Sequence, residues 1–141
     1  MIARLVRRLL RARLLAVTVT GPSMEPSLRD GDRVLVMRRH PRRLARGHIV
    51  VLGPDGDRRV PGAGPRGLLI KRIAAAPGDL VPPPLAVRLG CPPGSTVPPG
   101  RFLVLGDNPA LSLDSRHFGY VAQDRVVGVA VRSLRCAPAG G

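Results

Sequence analysis

Two side chains in this sequence could do chemistry together. Ser23 lies in Gly21-Pro22-Ser23-Met24-Glu25-Pro26-Ser27, between prolines whose fixed φ stiffens the turn, so the hydroxyl is presented rather than buried. Lys71 is the only lysine among 23 basic residues. Arginine does not release its proton in a protein, whereas a lysine can be made neutral by burial. A single lysine in an arginine-rich chain therefore suits a task arginine cannot perform, and general base is that task. Each residue also has a plainer reading: any tight turn uses Gly, Pro and Ser, and a lysine often lays its stem over apolar neighbours with the amine in water.

The elements that must position these groups follow from residue periodicity. Residues 67–73 (GLLIKRI) read as a strand, in which Lys71 shares a face with Leu69 and Ile73 while Ile70 and Arg72 point the other way. Desolvation on an apolar face disfavours the ammonium and lowers its pKa, the condition for a lysine base. Residues 14–20 turn β-branched and alternating and read as a strand that delivers the serine turn. Further strands are expected at 33–37, 48–52, 101–105 and 125–132, with the loop 53–67 closing a hairpin and 38–47 forming a basic loop broken by Pro41. The Pro/Gly-rich stretch 80–100 carries a short strand at 85–89. Short strands separated by turn residues predict an all-β domain. The one expected helix is N-terminal: Ile2, Leu5, Val6, Leu9 and Leu10 share a face, opposite Arg4, Arg7, Arg8 and Arg11. The expected organisation is a basic amphipathic helix over 1–13, a catalytic domain over 14–135 and a flexible tail over 136–141.

Composition limits the partners. At 141 residues, Gly 17 and Pro 16 describe one loop-rich domain, and the formal net charge is +14. That charge suits an anionic membrane surface or nucleic acid, or reflects a compositional bias toward arginine. The only aromatic residues are Phe102, Phe118 and Tyr120, a poor stacking platform for single strands, and no zinc-finger spacing occurs, so nucleic acid is the weaker partner. The longest apolar run in the N-terminal segment, residues 14–17, is far short of the roughly 20 residues of a membrane span. Peripheral membrane association without a span is expected, with a cytoplasmic location as the alternative. Cys91 and Cys136 form no CxxC pair or metal cluster, and no metal or cofactor is expected. They read as two buried thiols, or as one bridge in an oxidising compartment.

Residues 106–120 (GDNPALSLDSRHFGY) place Asp107 and Asp114 beside Ser112, Ser115 and Arg116, polar groups dense enough to build a rigid support for a neighbouring site or a well-capped turn. Three segments, GPSMEPS at 21–27, KRI with PGD at 71–79, and GDN followed by SLDSR at 106–116, resemble in order the serine-lysine boxes of bacterial type I signal peptidases. RGHIVV at 46–51 resembles the strand box between the first two. The resemblance implies short, mostly antiparallel strands in coiled sheets and a serine endopeptidase that removes an N-terminal leader or propeptide from a protein substrate. It makes Ser23 the nucleophile and Lys71 the base, with Ser23 N–H as oxyanion donor and Ser112 orienting the amine. Met24 packs near the substrate, and Arg72, Asp107, Asp114 and Arg116 form an ion-pair framework. The family favours small residues such as alanine on the acyl side of the cut. Gly21 offers no hydroxyl to the oxyanion, which implies one backbone donor and slow turnover. The short middle region and the lack of an anchor resemble the maturation proteases associated with nickel superoxide dismutase. A self-cleaving repressor domain shares the dyad chemistry, but no scissile linker precedes Ser23; a non-catalytic basic membrane-surface or nucleic-acid adaptor is the alternative from another class.

Overall fold

The β-branched and alternating apolar stretches do form strands. A computed structural model describes residues 2–4, 13–38, 43–56, 63–64 and 66–134. Within them lie β1 (Leu14–Thr18), β2 (Arg33–Met37), β3 (Ile49–Leu52), β4 (Leu69–Ala75), β5 (Arg101–Leu105), β6 (Val121–Ala122) and β7 (Val126–Ser133). They pair antiparallel in the order β1-β2-β7-β3-β4-β5-β6. The fold is all-β, as the strand pattern predicts, and β3 and β4 form the expected hairpin.

Alternation along the strands sorts side chains into separate apolar clusters. Leu69 and Ile73 join Val50, Leu52, Phe102 and Val104. Ile70 instead joins Val17, Val19, Met24, Val34 and Val36. Lys71 belongs to the Leu69 and Ile73 set by parity, which fixes its side chain against buried surface.

Strand order also leaves two edges free near the serine turn. Among the described residues β1 is terminal in the sheet, and its side away from β2 has no strand partner. β4 pairs with β3 along Leu69–Arg72 but meets β5 only from Arg72 onward. The unpaired side of Leu69–Lys71 and the outer edge of β1 face a common cavity of about 340 Å3.

One expected strand is a helix. Residues 85–89 fall within α1 (Pro83–Leu89), which has proline in its first turn and ends at Gly90 with φ 67°. A proline there lacks only an N–H that would have no intrahelical acceptor, so the proline cluster starts the helix rather than preventing it. Leu85 and Ala86 are buried together, a pairing that strand alternation forbids, while Val87 is 84% exposed. A second short helix, α2 (Ser115–Phe118), is opened by a capping box at Asp114. Residues 2–4 are helical; most of the expected N-terminal helix, most of the basic loop centre around Pro41, and the C-terminal tail with Cys136 lie outside the described residues. Cys91 is a half-buried free thiol with Sγ 3.8 Å from Tyr120 Oη.

Candidate active site

The serine turn is fixed by its own backbone and by one buried anchor. Gly21, at φ 82°, makes the turn out of the β1 extension that most side chains would resist, and its N–H donates to Asp30 Oδ1 at 2.7 Å. Glu25 N–H donates to Pro22 O at 3.1 Å and Leu28 N–H to Met24 O at 2.9 Å. Met24 is fully buried among Val17, Val19 and Val34, so it pins the turn to the core and also lines the cavity. Ser23, next to it, is half-buried at the cavity wall. Among the described residues, Ser23 Oγ makes no hydrogen bond and Ser23 N–H has no acceptor.

Lys71 lines the same cavity and is 2% exposed. Its Nζ donates to Ser112 Oγ at 3.1 Å, and that hydroxyl donates to Asp114 Oδ2 at 3.0 Å. A serine hydroxyl has one hydrogen; with it committed to Asp114, Ser112 can only accept from Lys71. The lone pair of a neutral Lys71 amine is therefore turned away from Ser112. Burial pushes the Lys71 pKa below the ordinary lysine value, the Asp114 charge pulls it partly back, and Arg116 lowers it again. Burial also pushes the Asp114 carboxyl up, but hydrogen bonds from Arg116, from Gly106 N–H at 3.0 Å and from Ser112 outweigh it and hold the group below the usual carboxylate range.

Arg72, one residue on, points away from Lys71 as alternation requires. Its guanidinium grips Asp107 with two bonds, Nε to Oδ1 at 2.9 Å and Nη2 to Oδ2 at 2.7 Å, and donates to Gly47 O at 2.8 Å. The Arg72 hydrogen bond lowers the Asp107 pKa against the opposing effect of burial. Ser27 Oγ donates to the same carboxylate at 2.6 Å. Asp107 thus fastens the end of the serine turn to β4, while Asp114 and Arg116 form a separate pair beneath Lys71 at 2.9 Å. The expected framework is two ion pairs joined through the segment 106–114.

Three contributors escape sequence reasoning. Ser27 reads from sequence only as part of the turn. Gly106 is buried where an added Cβ would lie 2.7 Å from Ser23 O and collide with Ser112; its lack of a side chain lets the two serines approach. Asn108 donates its N–H to Ser23 O at 2.9 Å and its Nδ2 to Pro22 O at 3.1 Å. The GDN tripeptide is the sequence signal for the last two, but only the long-range contact assigns it work.

The arrangement places a hydroxyl, a desolvated amine and an unused N–H around one cavity. The family model described as signal peptidase, peptidase S26, matches residues 1–83 and 87–134, and so takes in the serine turn, Lys71 and the Gly106–Arg116 loop. No curated protein gives a significant match. With nearly the whole length matched, this chain belongs to the signal peptidase family, peptidase S26.

Proposed function

We propose that this family member, a peptidase acting on leader-bearing proteins, is a serine endopeptidase in which Ser23 is the nucleophile and Lys71 the base. The single observation that carries the reading is Lys71: the only lysine, 2% exposed, with a lowered pKa, held by Ser112 and lining one cavity with Ser23. Lys71 Nζ takes the Ser23 proton as Oγ attacks the scissile carbonyl carbon. The resulting oxyanion is received by Ser23 N–H. Collapse expels the amine, which takes the proton from Lys71, and leaves an ester on Ser23. Lys71 Nζ, neutral again, then deprotonates a water that attacks the ester carbonyl; collapse releases the acyl segment as the Lys71 proton returns to Ser23 Oγ and restores the hydroxyl. An extended leader fits between the free edges of β1 and β4 as an added strand, with Met24 forming part of the wall against its side chains. Arg72, Asp107, Asp114 and Arg116 keep the turn and the lysine in place and do not react.

Ser23→Ala and Lys71→Ala test this on a leader peptide with alanine on the acyl side of the cut. Both are expected to lower kcat by at least about 10^3-fold, in line with the loss of a nucleophile or its base. Wild-type cleavage by either variant would rule the dyad out. A short form dedicated to one substrate, similar to the nickel superoxide dismutase maturation proteases, and peripheral attachment to an anionic membrane are part of the same proposal.

A further inference from the structure

Asn108 holds the peptide group that carries the proposed oxyanion donor. Its Nδ2 donates to Pro22 O at 3.1 Å, alongside Glu25 N–H at 3.1 Å, and its own N–H donates to Ser23 O at 2.9 Å. The Pro22–Ser23 peptide is trans. In a planar trans peptide the C=O and N–H point in opposite directions, and fixing one fixes the other. Donation to the carbonyl also polarises the amide and strengthens its N–H as a donor. Ser23 is therefore held on both sides by one residue from the loop that also carries Ser112.

We infer that Asn108 is a positioning residue for catalysis: it sets the Pro22–Ser23 peptide plane so that Ser23 N–H is aimed at the developing oxyanion. The inference rests on Ser23 being the nucleophile. Asparagine is specific to the task. Aspartate has the same shape but no hydrogen to give, and its charge would repel both the Pro22 carbonyl and the oxyanion.

The test uses the full chain, the alanine-bearing leader peptide, and the matching peptide aldehyde, which adds Ser23 Oγ to its carbonyl carbon and places an oxygen where the oxyanion forms. Asn108→Ala is expected to lower kcat about ten-fold, less than loss of an oxyanion donor itself, with KM within about two-fold of wild type. Aldehyde affinity should weaken by the same factor as kcat/KM, as expected for a group that acts only on the transition state. Asn108→Asp should lose more than Asn108→Ala. In both variants residue 108 keeps its N–H on Ser23 O, so the turn retains that tie. An Asp variant with wild-type kcat, or aldehyde affinity unmoved while kcat falls, would overturn the role. Ser23→Ala in parallel separates the two readings. If it is dead while Asn108→Asp is fully active, only the positioning role fails; if it still cleaves, the nucleophile is wrong and the inference falls with it.

Discussion

At the scale of single residues, Lys71 shows function opposing stability. The residue is 2% exposed, and burial lowers its pKa below that of the unfolded chain. Between the folded and unfolded pKa values the unfolded chain binds the extra proton, so stability rises as pH increases through that window. Below it, the fold carries the full cost of desolvating a charge. Lys71→Met, which keeps the stem and removes the amine, is therefore expected to raise stability at pH 7 by on the order of 1 kcal/mol, as when buried ionic groups give way to apolar ones. The Asp114 charge keeps its Arg116 partner in that variant. Thermal melts of both proteins from pH 7 to pH 10.5 check the sign: the advantage of the variant should shrink as pH rises. A constant gap would mean that the folded protein holds Lys71 charged throughout, and the base assignment would lose its physical footing.

At the scale of elements, short apolar runs bounded by turn residues make β2 and β5 legible in the sequence, and the parity of residues 69–73 is enough to set Lys71 against the core. α1 is not legible, because a proline run looks the same at a helix start as in a loop. Nor can sequence show that the loop after β5 packs on the serine turn: Ser112 lies 41 residues from Lys71, and Asp107 lies 80 from Ser27. Those contacts depend on β5 pairing with β4, which draws the start of the loop against Ser23. Gly106, just past the end of β5, sits where this packing leaves no room for a side chain. A methyl group there would press on Ser23 O and Ser112 together. Overpacking of this kind costs about 1–3 kcal/mol, and here the strain falls on the nucleophile and on the residue that orients the base. Gly106→Ala is expected to lower the melting temperature by several degrees and kcat/KM by about 100-fold, since a displacement near 1 Å suffices for such a loss. Unchanged cleavage would show that the loop and turn can separate without consequence.

At the scale of the whole molecule, the proposed chemistry is confined to the cavity lined by the β1 and β4 segments, while the charge is spread along the chain. The net charge is +14, and two of the acidic residues, Asp107 and Asp114, are consumed by internal ion pairs with Arg72 and Arg116. The remaining arginines far outnumber the remaining carboxylates, and that excess can meet an anionic surface, each arginine contributing about 1 kcal/mol when close to it. Among the described residues no helix is long and apolar enough to cross a membrane. The proposed peripheral attachment rests on the arginine excess, which makes it salt-sensitive. The protein is expected to sediment with vesicles containing phosphatidylglycerol but not with phosphatidylcholine alone, and to be released at about 0.5 M salt, where the screening length falls below about 5 Å. Five arginines lie in residues 1–13, and among the described residues the cavity lining begins at Leu15. Deleting residues 1–12 should weaken vesicle binding several-fold while leaving cleavage of a soluble leader peptide unchanged. Binding that persists undiminished would move the attachment surface onto the sheet, and binding to neutral vesicles as tight as to anionic ones would remove electrostatics as its cause.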